Sequence, residues 1–187
     1  MSIDNFIENV SSLDLAIKTC IEARLILPAL VLIYAGLDIV ASIERPPGGK
    51  VGPSFTSWID RYVLKDHQLP CTATELYAAR CGILHTLTPE SELVHTGKAR
   101  RIVYAWGSAD SADLQETACR MTRSDIVVLH VEDLRWAFLE GTKSWFQEIY
   151  TDKKRLSSVE MSLDLWFVNV SQEIIKKFLQ STDPKTT

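Results

Sequence analysis

The stretch LILPALVLIYAGLDIVA, residues 25–41, is the strongest indication of the fold, because it is apolar on all sides and carries a single charge at Asp38. A helix without a polar face has to be surrounded by protein or by lipid. The stretch is shorter than the roughly 20 apolar residues of a membrane span. Residues 2–22 before it are acidic and amphipathic, unlike the basic start of a signal peptide. The sequence therefore predicts the central helix of a bundle and no membrane contact.

The composition is that of a soluble globular protein. The chain has 187 residues, of which 46% are hydrophobic and 24% are charged, which fits one domain with a proper core. The formal net charge is -4, so no overall positive field attracts nucleic acid. Any contact with nucleic acid therefore has to be local.

The cysteine pattern predicts neither a zinc site nor a disulfide framework. The chain has four cysteines, Cys20, Cys71, Cys81 and Cys119, with no CxxC pair and no tight spacing to a histidine. Such a pattern fits the reducing cytoplasm. We therefore expect a cytoplasmic protein with no metal and no cofactor.

Helical periodicity extends to both sides of the central stretch. Pro28 suits the first turn of the second helix, which has to end before the Pro46-Pro47-Gly48-Gly49 segment. A short third helix is predicted over residues 54–64. A first helix is predicted by apolar residues at three- and four-residue spacing: Ile3, Phe6, Ile7, Val10, Leu13, Ile17, Cys20 and Ile21.

A fourth helix is predicted from its two ends. Thr72 and Glu75 form a capping box, which opens a helix. Pro89 ends it, because the residue before a proline avoids helical geometry. His85 is therefore expected in the last turn.

The middle of the chain has strand-like patterns in place of helical periodicity. Residues 99–106 and 125–131 have the alternation and the valine content of strands, and we expect a small β-hairpin joined through a helical turn near residues 112–120. Two helices follow, over residues 131–150 and 158–180, and a capping box of Ser157 and Glu160 is expected to open the second.

The last predicted helix has two apolar stripes. One stripe can pack on the bundle while the other meets a partner, so this face predicts a homodimer. The stripes are Leu163, Phe167, Val170, Ile174 and Phe178, and Leu165, Val168, Ile175 and Leu179. Together the elements predict a mainly α fold: an antiparallel bundle of about five to six helices over residues 1–180. It carries a strand-containing insertion at about residues 99–131 and a frayed tail at residues 181–187.

The segment ELYAARCGILHTLTPESELVH, residues 75–95, holds the candidate chemistry. Arg80 precedes His85 by five positions at the end of the fourth helix. An arginine holds phosphate with a fixed fork of donors, and a histidine transfers protons near neutral pH. The spacing alone is not specific, because Arg61/His67 and Arg123/His130 also fit the pattern of an arginine, four to six intervening residues and a histidine. Those two pairs fall on a helix end with its loop and on a predicted strand, so the context favours Arg80 and His85.

The spacing poses a geometric problem. Five residues of ideal helix turn through about 140° and climb about 7.5 Å, so the two side chains do not share a face. Either the helix ends before His85 and the chain swings the imidazole back, or a second copy of the protein completes the site.

Each candidate residue also has a purely structural interpretation. Arg80 can neutralise Asp38 inside the bundle, because buried charges are normally paired. His85 can be an ordinary histidine at a helix C-terminus, where the helix dipole favours it. The basic patch near the site could follow an RNA backbone or be a solvated strand edge. It consists of His95, Lys98, Arg100 and Arg101.

A longer pattern resembles the HEPN superfamily of helical bundles. It comprises YAGLDIVA at 34–41, FTSWIDRY at 55–62, the segment from residue 75, and GKARRIVYAWG at 97–107. The resemblance covers about residues 25–107, and Cys81 stands where HEPN nucleases often have a polar residue. It implies a metal-independent endoribonuclease of a bacterial defence, toxin or RNA-control system. It also implies a dimer whose cleft is lined by two arginine–histidine pairs, RNA as substrate and an antitoxin protein as partner.

Two classes of function follow from these residues. The placement of Arg80 and His85 favours the endoribonuclease. The acidic balance and Cys81 favour a non-catalytic HEPN-like module that dimerises and binds a nucleotide or a partner protein. Binding of phosphate without cleavage would indicate the module.

Overall fold

The computed structural model describes residues 2–121 and 123–163 and is mainly helical, as predicted. The elements are α1 (Ser2–Glu22), α2 (Ile26–Ile43), α3 (Val51–Trp58), α4 (Ala73–Thr86), α5 (Glu92–His95), β1 (Arg101–Ala105), α6 (Ser111–Arg120), β2 (Ile126–His130), α7 (Val131–Thr151) and α8 (Lys153–Leu163). A π-helical segment, Ile59–Val63, continues α3 without a break.

Helix α2 is the central helix, as its apolar sequence predicts. It contacts α1, α3, α4, α7 and α8, and Ile33, Tyr34 and Leu37 are fully buried. By length and composition alone α2 could cross a membrane, with a mean hydropathy of 2.2, and 50% of the helix is buried within the fold. Pro28 lies in its first turn.

The two strands form a parallel pair, so the predicted hairpin is wrong. Arg101 lies opposite Ile126, and Ala105 lies opposite His130. A two-residue turn can join only antiparallel strands, whereas a parallel pair needs a crossover of about a dozen residues or more. Helix α6 is that crossover, and the Gln115 side chain fixes it to β2 by accepting the Val128 N–H at 2.8 Å.

The sheet is fixed to the central helix through two tyrosines. The hydroxyls of Tyr34 in α2 and Tyr104 in β1 are 2.6 Å apart. Each group satisfies the other where water has little access, which suits a buried polar pair.

Helix α8 begins earlier than predicted. The Asp152 carboxylate accepts the N–H groups of Lys154 at 3.0 Å and Arg155 at 3.1 Å, as an N-cap does. Ser157 and Glu160 lie inside the helix, so the prediction that they cap it is wrong. Leu163 is buried, while the rest of the two predicted apolar stripes and the predicted tail lie outside the described residues.

Candidate functional site

Helix α4 carries the candidate site, and its start follows the prediction. The Glu75 N–H donates to Thr72 Oγ1 at 3.2 Å, and the Thr72 N–H donates to Glu75 Oε2 at 2.8 Å. The helix ends at Thr86, and Leu87 turns the chain with a φ of 54°, in the left-handed region. His85 therefore lies in the last turn, as predicted.

Gly82 lets the loop after α4 fold back against the helix. A Cβ atom built on Gly82 would lie 2.4 Å from the carbonyl oxygen of Thr88 and 2.6 Å from that of Glu90. Both contacts are with backbone, so any larger residue has to displace the loop. The loop is thus held against α4 midway between Arg80 and His85.

Arg80 and His85 meet within one chain. Arg80 Nη1 lies 3.1 Å from His85 Nε2, although α4 continues past His85. The expectation that the two side chains cannot meet along an unbroken helix is therefore wrong. The rotation and rise of an ideal helix describe backbone positions alone, whereas the long arginine side chain spans the rise between the two residues.

The contact indicates which nitrogen of the His85 imidazole carries the hydrogen. An arginine has only donors, so Nε2 of His85 has to accept the hydrogen bond. The tautomer that accepts at Nε2 carries its ring hydrogen on Nδ1. His85 is exposed, so the ring is open to solvent.

Asp38 holds the other end of the guanidinium. Arg80 Nη2 donates to Asp38 Oδ2 at 2.7 Å, and the two side chains are 13% and 25% exposed. Burial alone would lower the pKa of Arg80, but the hydrogen bond and charge of Asp38 outweigh it and raise that pKa. The ion pair predicted from the sequence is present, and the same arginine also contacts His85.

Tyr77, which was not among the predicted site residues, interacts with Cys81 and lies near Arg80. Burial raises the pKa of Tyr77, and the neighbouring Cys81 thiol raises it further, so the hydroxyl keeps its proton at neutral pH. Gly52 makes room for the tyrosine: a Cβ there would lie 3.1–3.2 Å from the ring and its hydroxyl. Tyr77 precedes Arg80 by three residues, and this spacing alone could have indicated a shared helix face.

Two of the four residues in the predicted basic patch are paired with carboxylates. Arg100 Nε donates to Glu75 Oε1 at 2.6 Å, and Arg101 forms an ion pair with Glu90. Burial alone would raise the pKa of Glu75, but the hydrogen bonds from Arg100 and from the Thr72 N–H outweigh it and lower that pKa. His95 and Lys98 are exposed.

The four basic residues of the patch line one open cavity of about 440 Å³. Glu75, Glu90 and Asp125 line the same cavity, so its fixed charges nearly cancel. A phosphate group entering it would meet the Lys98 ammonium, which has no carboxylate partner among the described residues, and the His95 imidazole beside it.

The other two arginine–histidine pairs do not form a similar site. Arg61 is paired with Glu148, and Arg123 Nε is 3.0 Å from Asp125 Oδ1. His130 Nδ1 lies 2.9 Å from Glu132 Oε2. In the described part of the chain, neither arginine contacts the histidine that follows it.

A second ionic cluster joins α2, α7 and α8. Arg155 donates to both carboxylate oxygens of Glu44, at 2.9 and 2.8 Å, and also contacts Glu148 and the Tyr62 hydroxyl. The hydrogen bonds that Arg155 donates to Glu44 are the main cause that raises the pKa of Arg155. Trp145 Nε1 donates to Glu44 at 2.7 Å. This cluster could not be predicted from sequence spacing, because its members are far apart in the chain.

Within residues 2–121 and 123–163, no three His, Cys, Asp or Glu side chains come together as a metal site would require. Comparison with protein-family models, curated proteins and solved structures finds no match to this chain.

Proposed function

We propose that this chain is a metal-independent endoribonuclease with Arg80 and His85 as its catalytic pair. The observation that carries the proposal is the 3.1 Å contact between Arg80 Nη1 and His85 Nε2. It brings a permanent positive charge and a proton-transfer group together at an exposed helix end. The HEPN-like pattern of residues 25–107 supports the same reaction and a role in bacterial defence, toxin action or RNA control.

In the proposed reaction, the 2′ oxygen of a ribose attacks the adjacent phosphorus and the bond to the 5′ oxygen breaks. His85 Nε2 accepts the 2′-hydroxyl proton, because it is the ring nitrogen without a hydrogen. The leaving 5′ oxygen takes a proton from water. The products are a 2′,3′-cyclic phosphate and a 5′-hydroxyl.

Arg80 stabilises the transition state in this scheme. Its Nη1 leaves His85 and donates to the phosphate oxygens, on which negative charge grows as the 2′ oxygen attacks. Asp38 is a positioning residue, because its bond to Nη2 keeps the guanidinium aimed at the helix end. The Tyr77 hydroxyl, which keeps its proton, is a further donor beside the arginine.

The proposal is tested with total RNA and pure protein in the presence of EDTA. Wild type should cleave RNA, and His85→Ala should reduce the rate about a hundredfold or more through loss of proton transfer. The fold should survive, because a helix-end histidine contributes at most about 1 kcal/mol through the dipole. His67→Ala, at the histidine of a pair that makes no such contact, is the matched control and should keep full activity. If wild type cleaves nothing, or if His85→Ala cleaves equally well, the ribonuclease proposal is wrong.

The cavity beside α4 favours a second candidate function, a non-catalytic nucleotide-binding module. Its volume of about 440 Å³ is within the range of small-ligand sites, and four basic side chains line it. This function predicts that wild type and His85→Ala bind a nucleotide equally, whereas Lys98→Ala weakens binding. Calorimetric titration with a nucleoside monophosphate and with inorganic phosphate measures both. Affinity without RNA cleavage would select the module.

A further inference from the structure

Strand β1 has an edge without a partner among the described residues. The sheet has two strands, so β2 covers only one edge of β1. The Arg101 N–H donates to the Asp125 carbonyl at 2.8 Å, so Arg101 points its backbone groups toward β2. Alternate residues of a strand bond to opposite sides. The N–H and C=O groups of Ile102 and Tyr104 therefore face the open edge.

A groove of about 270 Å³ runs along this edge. Residues 101–104 line it in succession, together with Leu27 of α2 and with Ile83 and Leu87 at the end of α4. Successive side chains of a strand point to opposite faces, so a groove that touches each one follows the edge. An extended segment placed there would meet both the free backbone groups and apolar side chains.

The rim of the groove is apolar and exposed. Leu27 is 42% exposed, Leu87 is 60% exposed and Val103 is 39% exposed. The one charge on the lining, Arg101, is already paired with Glu90. Exposed strand edges that lack charge or proline pair readily with another strand.

We propose that β1 pairs antiparallel with β1 of a second copy, across a two-fold axis at Val103. The edge of β1 can pair with the same edge of a second copy, because Ile102 and Tyr104 lie symmetrically about Val103. Each Ile102 then faces the Tyr104 of the other copy, and every such pair exchanges both backbone hydrogen bonds. The result is a four-stranded sheet, in the order β2-β1-β1-β2.

Charge and packing favour a second copy as the occupant. In this register Arg101 faces Ala105, so no like charges meet. Arg100 faces Trp106, which is 41% exposed and offers its ring to the guanidinium. Two short strands alone bury less than the roughly 800 Å² per partner of a stable interface. Leu27 and Leu87 therefore have to contribute to the buried interface area. Because the dimer is two-fold symmetric, both residues are buried in each copy.

This interface differs from the one predicted on the apolar stripes of residues 163–179. It also lies close to the candidate site, because Leu87 follows His85 by two residues and lines the same groove. The pairing does not depend on ribonuclease activity, so the two proposals can fail separately.

The test places charges on the proposed axis. Light scattering at tens of micromolar should show a wild-type dimer. Val103→Glu and Val103→Lys should each be monomers, because two like charges meet at the axis. An equimolar mixture of the two variants should recover the dimer. Trp136→Glu, at a 56% exposed residue of α7, is the matched control and should remain dimeric.

Cross-linking gives a second readout that needs no charge at the axis. The Cα atoms of a non-hydrogen-bonded antiparallel pair are about 4.5 Å apart, which a disulfide can bridge. Oxidised Val103→Cys should therefore run as a covalent dimer that wild type does not form. A monomeric wild type, a dimer unaffected by either charge, a mixture that stays monomeric, or a Val103→Cys protein that does not cross-link would overturn the proposal.

Discussion

Arg80 is the residue on which the candidate site depends, because one side chain makes two contacts with different purposes. Nη2 holds Asp38 at 2.7 Å and Nη1 reaches His85 Nε2 at 3.1 Å. The planar fork of a guanidinium can do both at once, whereas an ammonium group is a single point charge. The structural interpretation of Arg80 and the catalytic one are therefore compatible.

This two-contact role predicts the effect of Arg80→Lys. The positive charge remains, but one ammonium cannot keep both the Asp38 and the His85 geometry, so RNA cleavage should fall about a hundredfold. The free energy of unfolding should fall by about 1 kcal/mol, since one hydrogen bond is lost. Arg61→Lys makes the same change at an arginine that pairs with Glu148 on the surface. Cleavage rates and thermal melts of the two variants check the prediction, and equal rates would contradict it.

The thiols provide a second prediction about single residues. Burial, aided by the charge of Glu75, raises the pKa of the Cys71 thiol to about 12. At pH 8 about one Cys71 in ten thousand is then a reactive thiolate. Iodoacetamide should therefore label exposed Cys119 and leave Cys71 unmodified in the folded protein. Mass spectrometry of the peptides measures this, and Cys71 labelling as fast as that of Cys119 would contradict the burial.

Helix α4 shows which features of the fold can be predicted from sequence. The Thr72/Glu75 capping box is local, and both hydrogen bonds form. The capping box predicted at Ser157 does not form, because Asp152 caps the helix five residues earlier. Both are valid capping patterns, so the sequence alone does not show which one starts the helix. The pairing of β1 with β2 is not local, so alternation predicted the strands but not their direction. The ion pair of Glu75 with Arg100 was missed for the same reason.

At the scale of the element, Gly82→Ala should destabilise α4 and its loop. The added Cβ would lie 2.4 Å from the Thr88 carbonyl oxygen, a backbone atom that cannot rotate away. Overpacking of this kind costs about 1–3 kcal/mol of the free energy of unfolding. Thr74→Ala, at an exposed position of α4, is the control and should be neutral. Urea denaturation measures both, and equal midpoints for Gly82→Ala and wild type would show that the loop does not pack as described.

The Glu75–Arg100 pair should make the fold sensitive to acid. A carboxyl whose pKa is lowered by folding stabilises the protein above its unfolded pKa, and this contribution is lost as the pH falls through the folded pKa. The stabilisation by Glu75 should therefore be complete above its ordinary pKa of 4.5 and be lost below it.

Glu75→Gln tests this acid sensitivity. The variant should be less stable than wild type at pH 7 by about 1–3 kcal/mol, because the Arg100 guanidinium loses its charged partner. The difference should shrink as the pH falls below 4.5. Glu116→Gln, at a surface pair on α6, is the control. Thermal melts from pH 7 to pH 3 are the measurement, and a difference that does not depend on pH would contradict the account.

At the scale of the whole molecule, two ionic groups hold the bundle around α2. Asp38 binds Arg80 of α4, and Glu44, just after α2, binds Arg155 of α8. Asp38 lies in the C-terminal half of α2, and Glu44 follows the last residue of the helix. The helix itself is apolar, so each carboxylate pairs with an arginine from another helix. The central helix thus positions the candidate site through Asp38 while its other residues form the core.

The most direct test of the central claim is a cleavage assay with two RNA pools of random sequence and equal length, one unmodified and one fully 2′-O-methylated. In EDTA, wild type should cleave only the unmodified pool and leave 2′,3′-cyclic phosphate and 5′-hydroxyl ends, since the 2′ oxygen is the nucleophile. His85→Ala should lower the rate about a hundredfold. Cleavage of both pools, 5′-phosphate ends, unchanged activity of His85→Ala, or no cleavage by wild type would contradict a catalytic pair of Arg80 and His85.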